Sequence, residues 1–423
     1  MKIHCIGIGG IGVSALARYY IAQGHQVSGS DLAASEITSA LEKEGVKIFI
    51  GQKAENILQD LDLVMYSPAV QPNNPERAQA EKFGLPVKSY PQALGQLSKD
   101  HYTIAISGSH GKSTTTALVS LILVKAGIDP TVIIGTKLKE FGDSNFRQGK
   151  SKYLVIEACE YDGSFMEYDP KIIAITNVDK EHLDYFKTFE NVKKAFHDFV
   201  AKLPQDGYLV FNGDDANSDF KFKNTKKYSL QDAEAQKIKE IMQIPGAHNV
   251  SNALAALQVA HILGVPDEVS FATLSEYRGS WRRFQIIKET PYTVISDYGH
   301  HPNEVAATLK STREKFPDKK IWCIFQPHQY QRTHYLFDDF VKTLTEMPID
   351  QIVVTDIYDV AGREEKNISQ ETSSQKLVEA IGKDSIMYMP VAAAEQYVKE
   401  NIKSGEVLII MGAGDIYRLA EKF

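Results

Sequence analysis

The sequence predicts an α/β protein of three domains, and three observations carry that prediction. A short apolar strand at the start of the chain runs into the glycine loop Gly7-Ile8-Gly9-Gly10-Ile11-Gly12 and then into a helical stretch. A second strand, loop and helix of the same kind occupies residues 102–118, with Lys112 and Ser113 directly after Gly111. From Trp281 a third alternation of strands and helices begins. Length agrees, because 423 residues at about 100 to 200 per domain make two to four domains.

Composition narrows the class of partner. With 43% hydrophobic and 24% charged residues the chain has ample material for a packed core. A net charge of -7 argues against nucleic acid as a partner. Cys5, Cys159 and Cys323 are far apart and lie in or beside apolar runs, as free cysteines of a reducing compartment do. The amino terminus lacks the layout of a signal peptide, and no run reaches the ~18 apolar residues of a membrane span. The expectation is a cytoplasmic protein with no membrane partner.

Taken in order, residues 2–6 form a strand and residues 13–23 a helix around the first glycine loop. The spacing is G-x-G-x-x-G, and Asp31 follows about twenty residues on, after a strand at 26–29. Alone, this pattern suits an NAD-dependent oxidoreductase, although any pyrophosphate fits such a helix end. Residues 63–66 make a further strand, whose loop carries Ser67, Ala69 and three prolines into a helix at 76–83. Such a loop, at the carboxyl end of a strand, faces ligand. A short helix over 91–100 leads to a boundary near Asp100, giving a Rossmann-like domain over residues 1–99.

Residues 103–106 are a buried strand, Gly108 to Gly111 a tight loop, and Ser113 a helix start. Free N–H groups and the helix dipole favour an anion there, Lys112 can reach β- and γ-phosphates, and the Ser113 hydroxyl can bind Mg2+. The reading is an ATP γ-phosphate site. A general P-loop has a glycine where Ile106 stands, so this loop is a shortened variant. Residues 153–156 form a strand ending in Glu157, an acid placed to hold Mg2+ opposite the loop. After a strand at 172–176, His182 between Asp179 and Asp184 is a metal or phosphate contact. Residues 221–239, polar and lysine-rich, are expected to be a solvated surface segment. An apolar helix over 250–263 and a link at 275–280 complete a central P-loop-type ATPase domain over residues 100–279. A carboxy-terminal Rossmann-like domain over 280–423 has strands at 293–296, 321–325, 351–355 and 407–411.

Nine ordered stretches, at residues 7–16, 108–115, 157–165, 176–184, 248–256, 281–284, 297–302, 325–333 and 411–416, together resemble the Mur ligases. These are ATP-dependent amide-forming enzymes of bacterial cell-wall precursor synthesis, and the resemblance is closest to the members that add alanine to UDP-N-acetylmuramate. It implies that Gly9, Gly10, Ile11, Asp31, Ser67 and Ala69 line a UDP site, so the dehydrogenase pattern would be misleading. It implies ATP on Gly108, Ser109, His110, Gly111, Lys112, Ser113 and Thr114, with Asn177, Asn252 and Asp297 also on the nucleotide. Ser113 and Glu157 would hold one Mg2+, with His182 near a second. Arg283, Tyr298, His300, His328 and Arg332 would lie on the substrate side, the last four around alanine and its carboxylate. An arginine fork suits a carboxylate by two parallel hydrogen bonds.

The implied reaction activates the lactyl carboxylate as an acyl phosphate, with Lys112, His182, His300 and Arg332 as catalytic residues; His300 is the candidate base for the amine, the alternative being that it only orients alanine. Gln329 stands where alanine-adding members usually carry arginine. The nearest rival is the related ligase that reattaches a recycled peptide to the same sugar nucleotide, a remoter one the oxidoreductase. The expected partners are the two substrates alone, the expected state a monomer or weak dimer, and the expected hinges the links near Asp100 and Ser280.

Overall fold

The computed structural model describes residues 1–359 and 368–423, Asp184 by its backbone only. Three sheets organise it. The first contains β1 (Lys2–Ile6), β2 (Gln26–Asp31), β3 (Lys47–Ile50), β4 (Leu63–Tyr66) and β5 (Val87–Ser89), all parallel, in the order β3-β2-β1-β4-β5. The strand order reverses at β1, so a crevice opens beyond its carboxyl end. The first glycine loop leaves from that end.

The second sheet contains β6 (Tyr102–Ser107), β7 (Thr131–Leu138), β8 (Ser144–Arg147), β9 (Tyr153–Glu157), β10 (Ile172–Ile175), β11 (Tyr208–Asn212) and β12 (Thr225–Tyr228). Its order is β12-β11-β10-β6-β9-β7-β8, parallel except where β8 runs antiparallel to β7. The third contains β13 (Gln285–Lys288), β14 (Thr293–Asp297), β15 (Ile321–Phe325), β16 (Gln351–Val354), β17 (Ile386–Tyr388) and β18 (Val407–Met411), in the order β13-β14-β18-β15-β16-β17. Only β13 is antiparallel there.

Strands covered by helices on both faces read as unbroken apolar runs, and the central strands do so. All of Ile-Ile-Ala-Ile in β10 and Val-Leu-Ile-Ile-Met in β18 is buried. Phe165, Phe196 and Phe199 fill the core beside the second sheet, the rings of Phe165 and Phe199 stacked at 4.4 Å.

The chain forms two compact units: Met1–Ile241 with Ser251–Ser275, and Met242–Val250 with Glu276–Phe423. The first two sheets therefore share one unit, and Asp100, the C-cap of helix Tyr90–Lys99, lies inside it. Residues 221–239 correct the sequence expectation. They form the edge strand β12 and part of helix Ala233–Ile241, and they bury Tyr228, Ala235 and Ile238 while the lysines face outward. An edge strand has one partner and a half-apolar helix one buried stripe, so the exposed lysines dominate the composition and mask both.

Candidate active site

In the first unit, each of the two helices that follow a glycine loop starts without a side-chain cap. Helix Ile11–Ala22 begins on Gly10 and helix Lys112–Lys125 on Gly111, with no acidic residue in either first turn. Neighbouring helices are capped by Ser35, Asn74 and Ser89. Uncapped N–H groups on a helix dipole are donors for an external anion.

The second loop is braced from the next strand's end. Gly111 is left-handed at φ 81°, and a Cβ there would lie 2.2 Å from Asn252 Oδ1. Asn177 Oδ1 accepts from His110 N at 2.9 Å, and Asn177 Nδ2 donates to His110 O at 3.1 Å. His110 Nε2 lies 3.1 Å from Asp179 Oδ2. Asn177 and Asn252 thus touch the loop, and Ser113 and Thr114 are buried in the helix it opens. Ile106 is fully buried in β6, paired with Glu157 and Ala174, which explains why the loop begins only at Gly108.

Lys112 folds back on this loop, donating to Gly108 O and to Ser109 O, and pairs with Glu160 Oε2 at 3.0 Å and Oε1 at 3.3 Å. Glu160 is fully buried and its Oε1 lies 3.8 Å from His182 Nε2. Burial pulls the Lys112 ammonium toward neutrality, but the negative charges of Glu160 and Glu157 outweigh it and raise the pKa. The lysine is therefore held as a cation. Glu157 ends β9, and its Oε2 accepts from Gly135 N at 3.0 Å. His182 is left-handed at φ 55° and packs against the Tyr161 ring at 4.9 Å. The Asp184 side chain lies outside the described residues.

At the first glycine loop, Gly9 N donates to Asp31 Oδ2 at 2.8 Å, which ties the loop to the end of β2. Gly7, at φ 78°, sits against Ser67, whose loop also contains Ala69. Gly9, Gly10, Ile11, Asp31, Ser67 and Ala69 are thus assembled around one helix N-terminus.

The second unit gathers another set. The ring of His300 lies 5.3 Å from Tyr298 and 5.7 Å from His328, and His328 stacks on Tyr358 at 5.5 Å. His300 Nδ1 is 3.0 Å from Glu304 Oε2, and Arg332 Nη1 is 3.2 Å from His328 Nδ1. Gln329, between them, has φ 71° and accepts from Thr333 through its carbonyl, so the turn into helix Tyr330–Tyr335 is set by a backbone conformation uncommon for glutamine. Arg283 stands over the Tyr298 ring at 4.7 Å. Asp297 is buried, and its carboxylate accepts from Phe284 N, Gly299 N and Thr308 Oγ1 at 2.8 to 3.1 Å. Burial raises its pKa against those backbone donors. In this arrangement Asp297 brackets the Arg283 and Tyr298 segments.

Against known families, residues 2–102 match the Mur ligase family, catalytic domain; residues 106–237 the Mur ligase middle domain; and residues 282–414 the Mur ligase, glutamate ligase domain. The UDP-N-acetylmuramate--L-alanine ligases of Aquifex aeolicus and Caldanaerobacter subterraneus are 40% and 39% identical to the chain, each alignment covering 100% of it and 97% of the relative. The chain belongs to the Mur ligase family. It is accordingly an ATP-dependent, amide-forming ligase. A crystal structure of the UDP-N-acetylmuramate-alanine ligase from Thermotoga maritima superposes with a TM-score of 0.85 at 29% identity, over 100% of this chain and 98% of that one.

Within this Mur ligase, three residues of the assembled sites escaped the sequence reading. Glu160 follows Glu157 by three positions, and only packing reveals which carboxylate meets Lys112. Arg282 is buried between the rings of Tyr298 and Tyr417 at 4.6 and 4.5 Å and donates to Gly412 O and Gly414 O. Its neighbour Arg283 was the arginine that the resemblance placed on the substrate side. Tyr358 comes from a strand-end loop that carries no spacing signal.

Proposed function

We infer that this ligase joins L-alanine to the lactyl carboxylate of UDP-N-acetylmuramate, with ATP converted to ADP and phosphate, in the cytoplasm. The observation that carries the reading is end-to-end alignment with relatives bearing that one activity in their names, over a chain that contains both glycine loops and the His300, His328 and Arg332 cluster.

The substrates divide among these groups. UDP lies on Gly9, Gly10 and Ile11, with Asp31, Ser67 and Ala69 around it. The ATP phosphates lie on the loop from Gly108 to Thr114, where they draw Lys112 toward their own charge. Ser113 and Glu157 offer a hydroxyl and a carboxylate, hard oxygen donors suited to one Mg2+, with His182 assigned to a second. When bound, Mg2+ neutralises charge on the phosphates. A lactyl carboxylate oxygen attacks the γ-phosphorus, the bond to the ADP oxygen breaks, and an acyl phosphate forms. The alanine amine then attacks the acyl carbon, phosphate departs with the carbon–oxygen bond pair, and the amine gives up a proton. His300, oriented by Glu304, accepts that proton, and Arg332 binds the alanine carboxylate.

Phosphate release from ATP tests the reading when measured with and without UDP-N-acetylmuramate while the amino acid is varied. Release must require the sugar nucleotide and be fastest with L-alanine. Release indifferent to the sugar nucleotide overturns the reading, and preference for glycine, serine or a tripeptide overturns the alanine assignment. Lys112→Ala should lower turnover by at least about 1000-fold, as loss of a charge donor at the transition state does, and leave UDP-sugar affinity unchanged.

A further inference from the structure

Asn145 lies on β8, far from either glycine loop in sequence, and is fully buried. Its Nδ2 donates to Ile11 O at 2.5 Å and to Ser14 Oγ at 2.9 Å, and its Oδ1 accepts from Arg18 Nη1 at 2.6 Å. Arg18 is itself fixed by Glu44, which accepts from Nε and Nη2 at 2.8 to 3.0 Å. A carbonyl can only accept and a guanidinium only donate, so these partners permit a single orientation of the amide. Ile11, Ser14 and Arg18 all belong to the helix that carries the first glycine loop on its N-terminus.

From Asn145 the path leads to the ATP side without a gap. β8 pairs with β7 at Phe146 and Ile133, β7 pairs with β9 at Ile133 and Ile156, and Gly135 of β7 donates to the Glu157 carboxylate. Neighbouring contacts join the same two parts of the unit. Tyr19 meets Phe146 edge-on at 6.3 Å, Gln23 Nε2 donates to Gln148 Oε1 at 3.0 Å, and Lys137 pairs with Glu36 at 3.0 Å. An apolar residue at position 145 would pack there without fixing a register. A buried amide is satisfied in one arrangement alone.

We propose that Asn145 is a positioning residue, which sets the UDP-sugar loop against the strand pair that holds Glu157 so that the lactyl carboxylate reaches the phosphate loop in line. The inference rests on the ligase reading above. It gives a role to the first two sheets sharing one unit: carboxylate and γ-phosphate are aligned within that unit, and misplacement by about 1 Å costs about 100-fold in rate.

The test compares Asn145→Ala and the milder Ser14→Ala with wild type and with Gln148→Ala at the exposed rim, reading separate affinities for ADP and UDP-N-acetylmuramate, thermal midpoint, and kcat at saturation. Asn145→Ala should keep both affinities within about threefold while kcat falls by about 30- to 100-fold. Ser14→Ala should fall between it and wild type, and Gln148→Ala should match wild type. A kcat within threefold of wild type in Asn145→Ala overturns the proposal. So does a kcat loss that merely follows equal losses in both affinities and a collapsed thermal midpoint, provided folded Ser14→Ala then turns over at the wild-type rate. Wild-type protein that ignores the sugar nucleotide overturns the ligase reading before any variant is compared, so the two failures are separable.

Discussion

Lys112 and Glu160 form a buried pair in which each charge needs the other. The lysine side chain is 12% exposed and the glutamate fully buried. Removing one partner of such a pair leaves an uncompensated buried charge and typically costs about 3 to 5 kcal/mol. Glu160→Gln should therefore lower the thermal midpoint, and ATP phosphates should replace the missing negative charge. The expected result is a larger stabilisation by ADP or a non-hydrolysable ATP analogue in the variant than in wild type, measured by thermal shift. Equal shifts in both proteins would mean that Glu160 is not the charge the phosphates displace. Cys5 gives a second check at this scale. Burial pushes its thiol up from 9.0 to about 12. Below pH 9 both folded and unfolded thiols are protonated and nothing is lost. Between pH 9 and 12 the unfolded thiol ionises while the folded one does not, so stability falls, by about 1 kcal/mol at pH 10. Urea melts at pH 8 and pH 10 should show that loss in wild type and a smaller one in Cys5→Ala.

At the scale of elements, the glycine loops were legible because their chemistry is local. A strand, a few glycines and a helix start fix backbone donors within ten residues, and the spacing of Gly111, Lys112 and Ser113 encodes the site directly. The contacts of Asn145 were not legible, since they close over 127 to 134 residues in sequence and leave no periodic trace. Residues 221–239 misled for another reason: composition reported their exposed lysines, whereas three buried side chains decide their structure. The phosphate-loop element supports a sharp test. Gly111→Ala places a side chain in a left-handed conformation, costing about 1 to 2 kcal/mol, and drives its Cβ against Asn252. Calorimetric titration should find ADP binding weaker by about tenfold or more and UDP-sugar binding unchanged. Loss of both affinities would tie the first glycine loop to the second more closely than their separate helices allow.

At the scale of the molecule, the division into two units passes between Ser275 and Glu276, in the link expected as a hinge near Ser280, whereas Asp100 lies inside the first unit. The first two sheets belong to one unit, and contacts such as those of Asn145 hold them together where sequence alternation alone suggested a joint. Chain order distinguishes successive α/β layers, but only side chains determine which layers pack as one body. The groups placed on the sugar nucleotide and the ATP phosphates, from Gly9 to Asn252, lie in the first unit, and Asp297, His300, His328 and Arg332 lie in the second. The two half-reactions should therefore come apart under mutation. Arg332→Ala and His300→Ala should still form the acyl phosphate, trapped as a hydroxamate by hydroxylamine in the presence of ATP and UDP-N-acetylmuramate, at a rate within about tenfold of wild type. Amide formation with L-alanine should drop by about 100-fold or more in both, because a positioned base contributes about 100- to 10,000-fold and a bidentate carboxylate clamp acts only on the amino acid. If trapping disappears together with amide formation, the second unit takes part in phosphoryl transfer as well. The assignment of Arg332 to the alanine carboxylate would then have to yield to a role on the nucleotide.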